Sequence, residues 1–244
     1  MYNGSMPREP HEEQAYMRQD SRHRWWPFAA GSGLTITGAT AVLVTAALLW
    51  ILWPHWLTGS FLAASAGLWL AILYFFRDPP RFIRSKPGIV LSPGDGRVVH
   101  IGAEQEGRYL LADTMRISLF LSVTDVHVQR IPLEGRVVVV EHQPGQFLQA
   151  FKPEASQVNE AIATVVETAY GRILVRQVAG ILARRCVNYL EAGDPVQAGQ
   201  RFGMIRFGSR IDLFLPPEAQ ALVAVGDKVQ GGITPLARLE QGER

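Results

Sequence analysis

The pair Gly208-Ser209, inside "RFGMIRFGSRIDLFLP" (201–216), puts a hydroxyl at the break between two apolar runs, Arg201–Phe207 and Ile211–Leu215. Both runs read as strands, yet Gly-Ser is not the Asn-Gly or Asp-Gly pair that a tight hairpin favours. A turn or bulge is the plain explanation. A serine beside a glycine carbonyl also has chemistry, because with a base at hand its hydroxyl can attack a carbonyl. Two other polar spots could supply that help. Asp95 sits between two glycines in "SPGDGRV" (92–98), where an Asp ordinarily forms a turn. Asp125 and His127 close the apolar run in "LFLSVTDVHVQR" (119–130), two residues apart and so on one face of a strand. An Asp that orients an imidazole, and an imidazole that takes a proton from a hydroxyl, make a nucleophilic relay. Spacing alone does not bring these three segments together, and no G-x-S-x-G elbow is present.

The elements that must position these residues fall into three regions. Residues 1–24 are polar, carry no apolar periodicity, and read as a flexible tail. From Trp25 to Phe76 there is no Asp, Glu, Lys or Arg. Leu34–Trp53 and Leu57–Phe76 are each long enough to cross a hydrocarbon core, so residues 25–76 read as a two-helix membrane anchor. "WPHW" (53–56) joins them: Pro54 breaks the helix, and the tryptophans suit the membrane–water interface. Arg18, Arg22 and Arg24 precede the first span, Arg77, Arg81, Arg84 and Lys86 follow the second, and the short turn has no basic residue. The positive-inside rule then places both flanks in the cytoplasm, at the inner membrane.

Residues 77–244 read as a β-rich domain. Short β-rich runs recur at Arg97–Ile101, Met115–Val123, Gly135–Glu141, Ile173–Val178 and Ala221–Val225, separated by Gly and Pro turns, with one helical interruption near Glu154–Ile162. "GDPVQAGQ" from Gly193 and "GDKVQGGI" from Gly226 repeat one pattern, G-D-x-V-Q-x-G. The echo resembles the turns of biotinyl/lipoyl-type barrel-sandwich folds and implies a β-sandwich of two similar halves. Lys228 in the second copy reads as a solvated turn residue rather than a lipoyl carrier. The single Cys186 excludes an internal disulfide and a Cys-rich zinc site, and reads as a small buried apolar residue. No metal site is expected. With 24 basic and 22 acidic residues the chain has no nucleic-acid footprint.

Taken together, "SPGDGRV", "ISLFLSVTDVHVQRIP", "GQFLQAF", the Asn159-Glu160 pair, "GRILVRQVAGILARR" and "GQRFGMIRFGSRIDLFLP" resemble the phosphatidylserine decarboxylase family in its short prokaryotic form. An archaetidylserine-decarboxylase-like counterpart carries the same motifs. The resemblance implies self-cleavage between Gly208 and Ser209, in which Ser209 attacks the Gly208 carbonyl. It implies fragments 1–208 and 209–244 that stay associated, a covalent pyruvoyl cofactor made from Ser209, and a phospholipid substrate in the membrane, and it is compatible with a homodimer. It gives Asp95 and His127 the relay, and Asn159 and Glu160 contacts to substrate. The expected product is phosphatidylethanolamine plus CO2. One residue departs from the longer members: Arg130 stands where they carry a second His.

Two readings compete with this one: a non-catalytic membrane-anchored β-sandwich adaptor, and a pyruvoyl decarboxylase acting on a soluble amino acid. The topology is open to a direct check. A cysteine placed at His55 is expected to react with an impermeant thiol reagent from outside intact cells, and one placed at Gly88 is not; the reverse pattern refutes the cytoplasmic placement.

Overall fold

A computed structural model of the chain describes residues 27–146, 158–180, 186–205 and 209–240. They form two compact units, residues 27–80 and residues 81–240.

The first unit is a pair of helices, α1 (Gly33–Leu52) and α2 (Trp56–Phe75), each long and apolar enough to cross a membrane. Twenty residues at 1.5 Å each make about 30 Å, the thickness of a hydrocarbon core. The WPHW turn works as the sequence suggests. His55 caps α2 by accepting from the Leu57 N–H, while Thr58 Oγ1 accepts from the His55 N–H. Between the helices, Trp69 Nε1 donates to Thr40 Oγ1 at 2.9 Å. A bridge between Phe28 and Arg77 closes the open end.

The second unit is mainly β. Its strands are β1 (Ile89–Leu91), β2 (Gly96–Glu106), β3 (Ala112–Leu121), β4 (Val128–Arg130), β5 (Gly135–Gln143), β6 (Ala161–Thr168) and β7 (Gly171–Val178). There follow β8 (Cys186–Asn188), β9 (Pro195–Val196), β10 (Arg201–Ile205), β11 (Ser209–Leu215), β12 (Gln220–Ala221), β13 (Lys228–Val229) and β14 (Pro235–Arg238). A curled eight-stranded sheet has the order β13-β2-β3-β11-β7-β6-β5-β9, and two three-stranded sheets, β4-β10-β8 and β1-β14-β12, complete the unit.

The repeated Gly-Asp turns are the framework of this fold. Gly193 N–H donates to Val137 O and Gly226 N–H to Val98 O; Asp194 O accepts from Val137 N–H and Asp227 O from Val98 N–H. Each turn then feeds a two-residue edge strand, β9 against β5 and β13 against β2. The partner strands themselves begin alike, Gly96-Arg97-Val98-Val99 and Gly135-Arg136-Val137-Val138, and each Arg donates to the first glycine carbonyl of its turn. The domain is therefore two interlocked halves with matching bonds. Glu134 occupies in one half the place that Asp95 occupies in the other.

Strand β11 shows how the sheet divides the interior. Ile211, Leu213 and Leu215 join the main core with Ile117, Leu119 and Ile173, while Phe214 packs on the other face with Leu174 and Val165. Three sequence expectations shift. Of the helical interruption near Glu154–Ile162, residues 154–157 lie outside those described, and Ala161 and Ile162 lie in β6. That strand is buried on both faces, so it shows no period-two pattern. The run Met115–Val123 ends as a strand at Leu121, and Ala221–Val225 keeps only Ala221.

Phe202, fully buried in the main core, should be among the costliest side chains to shorten. Phe202→Ala is expected to destabilise the β unit by about 3–5 kcal/mol, read as a lower urea midpoint by near-UV dichroism.

Candidate active site

Ser209 is the first residue of β11 and pairs with Leu121, the last residue of β3. The strand before it, β10, lies in a different sheet and pairs with β4, Met204 opposite Val128. The chain thus changes sheets between Ile205 and Ser209. Gly208 lies outside the described residues. The other partner strands change sheets at the same place: β3 passes through residues 122–127 into β4. A third connection does so too, since Val178 of β7 pairs with Arg210 and Cys186 of β8 pairs with Ile205. Ser209 therefore sits where three chain segments step from one sheet to another.

The 122–127 segment carries His127 and is fixed by its own polar groups. Asp125 Oδ2 accepts from the Ser122 N–H at 2.8 Å, and Ser122 O accepts from the Asp125 N–H. Asp125 and His127 are thus in a turn rather than on a strand face, because Asp125 spends its carboxylate on closing that turn. His127 is fully buried, and its Nδ1 lies 2.8 Å from the Asp125 carbonyl. A carbonyl only accepts, so Nδ1 carries the proton and Nε2 is the nitrogen suited to take another.

The Asp95 turn reaches the same strand ends. A Cβ on Gly94 would lie 2.6 Å from Ile211 Cδ1 and 3.6 Å from Leu121 Cδ2, and one on Gly96 would collide with the Phe120 carbonyl. Both glycines are needed for this close approach. The Asp95 carboxylate has partners the sequence did not suggest. Arg81 meets it with both arms, at 2.6 and 2.8 Å, and the Gly231 N–H donates to Oδ1 at 2.8 Å. Arg81 looked like one more basic residue of the membrane flank, and only its tertiary partner shows that it holds Asp95.

Asn159 and Glu160 hold the third connection. Asn159 Nδ2 donates to Ala179 O at 2.7 Å, and the Glu160 carbonyl accepts from the Ala179 N–H. Glu160 Oε1 accepts from the Cys186 N–H and pairs with His142 Nε2 at 3.2 Å. Burial, reinforced by the Glu160 carboxylate, pushes the Cys186 thiol up, away from nucleophilic reactivity.

Just past Ser209, the buried Arg210 guanidinium donates to Asp212 Oδ1 at 2.7 Å and to Ser118 Oγ at 3.0 Å. These groups lie on the sheet face opposite Ser209. His100 belongs to that opposite face, in register with Ser118 and Asp212. Burial, then the Arg116 charge, lowers its pKa.

The Ser209 side chain is fully buried, and Oγ has no hydrogen-bond partner among the described residues. An unsatisfied buried hydroxyl costs about 1–3 kcal/mol, so such a group calls for an explanation. The class these features define is a mainly β enzyme whose serine lies inside a sheet-to-sheet crossing rather than on a nucleophile elbow. The sequence profile described as phosphatidylserine decarboxylase matches residues 68–237. The "Phosphatidylserine decarboxylase proenzyme" of Symbiobacterium thermophilum is 43% identical over 216 residues, 88% of this chain and 97% of that protein. Proteins of the same name from Burkholderia cenocepacia and Burkholderia ambifaria are 41% and 42% identical over 218 residues, 88% of this chain and 94% of each. The chain belongs to the phosphatidylserine decarboxylase family.

His127 is buried in the turn after β3, whereas His100 is half-buried on the sheet face opposite Ser209. His127→Ala is expected to slow cleavage at residue 209 by about 10²–10⁴-fold, the usual worth of general acid–base help. His100→Ala should leave its half-time nearly unchanged. A gel time course after cell-free synthesis reads both.

Proposed function

We propose that the chain is a self-processing decarboxylase that converts phosphatidylserine to phosphatidylethanolamine and CO2. Family membership supports the reaction, and the buried, unpartnered Ser209 hydroxyl carries the proposal that the chain processes itself. Ser209 Oγ attacks the Gly208 carbonyl as His127 Nε2 takes the hydroxyl proton. The Gly208–Ser209 amide becomes an ester. β-Elimination then removes the α-proton of residue 209 and breaks the Cβ–Oγ bond, leaving a carboxylate on Gly208 and a dehydroalanine at 209; this tautomerises to an imine, and water hydrolyses the imine, releasing ammonia and leaving residue 209 as a pyruvoyl group.

Ser209 fits this conversion. Its hydroxyl is committed to no other bond, and residues 210–214 are held by β3 on one side and β7 on the other. When in place, the pyruvoyl group supplies a ketone to engage the substrate amine and an electron sink for the pair released with CO2. His127 holds the proton returned to the substrate carbon. Arg81 fixes the Asp95 carboxylate beside the strand ends, so Asp95 contributes a placed negative charge near the imidazole. Asn159 and Glu160 shape the wall that faces substrate.

The pairing of β11 also supports lasting association of fragments 1–208 and 209–244, since that strand has bonded neighbours on both edges. Residues 25–76 serve as the anchor, and residues 77–244 work on the cytoplasmic side of the inner membrane. That placement gives the domain a substrate lying in the bilayer surface.

Intact mass spectrometry tests the reading. Wild type should yield two fragments summing to nearly 27.0 kDa, the smaller beginning with a blocked residue 209. Ser209→Ala should remain one full-length, inactive chain. Cleavage at this position without the hydroxyl rules the mechanism out.

A further inference from the structure

Four polar side chains form a hydrogen-bonded chain through the interior beside Ser209, and the relay leaves its free end unused. Thr164 and Gln177 stand on the inner face of the large sheet, where Thr164 is opposite the core residue Val175. Gln177 is opposite Ile211, which shares the Ser209 face one pleat further on. Asn188 and Gln129 meet them from the small sheet. Gln129 follows His127 by two residues. Thr164, Gln177 and Gln129 are fully buried. Gly203, opposite both Gln129 and Asn188, lets the chain pass, since a Cβ there would lie 2.9 Å from Gln177 Nε2.

The direction of every bond in this chain is fixed from its far end. The Leu190 N–H donates to Asn188 Oδ1 at 2.9 Å, so the other amide atom of Asn188 is the nitrogen. Asn188 Nδ2 donates to Thr164 Oγ1 at 2.7 Å and to Gln177 Oε1 at 3.2 Å. Gln177 therefore turns its nitrogen the other way, toward the Val187 carbonyl at 3.2 Å, a group that only accepts. The same Nε2 donates to Gln129 Oε1 at 2.7 Å. That leaves Gln129 with its Nε2 hydrogens. This nitrogen is buried and has no partner among the described residues, and Ser209 Oγ is in the same condition.

A buried amide donor without an acceptor is costly, and turning the Gln129 amide over would set two nitrogens face to face at Gln177. The cleavage reaction creates an acceptor. When Ser209 Oγ bonds to the Gly208 carbonyl carbon, the carbonyl π pair moves onto the oxygen, which stays an anion until the C–N bond breaks and the pair returns. That oxygen belongs to the peptide unit that ends on the Ser209 nitrogen. Stabilising such a charge takes a donor that is already oriented and shielded from water, as an amide locked through Gln177 and Asn188 is.

We propose that Gln129 Nε2 donates the hydrogen bond that stabilises this oxyanion, with Gln177 and Asn188 as positioning residues that keep the amide nitrogen free for it. Gln129 transfers no proton, and His127 keeps the role of base. This role rests on the self-processing reading. The test follows cleavage of the full-length chain on gels after cell-free synthesis in neutral detergent. Gln129→Leu removes the donor while Gln177 Nε2 keeps the Val187 carbonyl, and it should slow cleavage by about 10²–10³-fold, the usual cost of one oxyanion donor. Thr164→Val breaks a bond at the far end of the chain and should keep the parent half-time. Gln129→Glu separates a donor from a prop: it fills the same space, and only its protonated form carries a donor hydrogen. Its rate relative to the parent should therefore fall as pH rises. Near-UV dichroism of each uncleaved chain checks folding, and if Gln129→Leu fails to fold, the pH profile of Gln129→Glu decides. A folded Gln129→Leu that cleaves like the parent overturns the role. So does a Gln129→Glu ratio that is flat with pH, or a Thr164→Val chain slowed as much as Gln129→Leu. A parent that is never cut at residue 209 refutes the self-processing reading and this role with it.

Discussion

Two strand pairings fix where Ser209 lies. Strand β10 is committed to β4 in a small sheet, and β11 is committed to β3 and β7 in the large one. The chain is therefore in the small sheet at Ile205 and in the large one at Ser209. Because β3 runs on into β4, the same geometry delivers the His127 turn to the same crossing. Backbone register thus brings His127, just before β4, and Ser209, at the start of β11, to the same crossing between sheets although they lie 82 positions apart.

Polar groups around this crossing are arranged to stay where they are put. Asp125 closes the His127 turn, the Asp125 carbonyl sets the imidazole tautomer, and Asn159 with Glu160 ties down the third connection. On the far face of β11, the Arg210–Asp212 pair and Ser118 fix the residue after Ser209. Buried ion pairs of this kind add little net stability, but they penalise any shift that would separate them. Within this set Ser209 differs, its hydroxyl being buried with no partner among the described residues.

The two matched halves explain why the site occurs once. Each half has a Gly-Arg-Val-Val strand, a Gly-Asp turn and an acidic residue before the first glycine, Asp95 in one and Glu134 in the other. Asp95 is gripped by Arg81 and the Gly231 N–H and lies against the ends of β3 and β11. Glu134 is exposed and lines a basic cleft. A repeated scaffold has thus been divided, one turn lying against the ends of β3 and β11 and the other facing a charged cavity.

The sequence alone determined what depends on local composition and period. The uncharged spans, the helix break at Pro54, most strand positions and the paired Gly-Asp turns were legible, because hydropathy, φ preferences and turn chemistry act over a few residues. The motifs also singled out Ser209, His127 and Asp95 by type. The sequence did not show β6, whose two buried faces erase the alternation, nor that Asp125 and His127 sit in a turn. Tertiary structure alone decided which groups meet. Arg81 finds Asp95 across 14 residues and the Gly231 carbonyl across 150, and His100 is set apart from Ser209 by a single sheet face. Those outcomes follow from strand register, where a shift of one residue reverses every side chain, and register is fixed by long-range pairing that no local window contains.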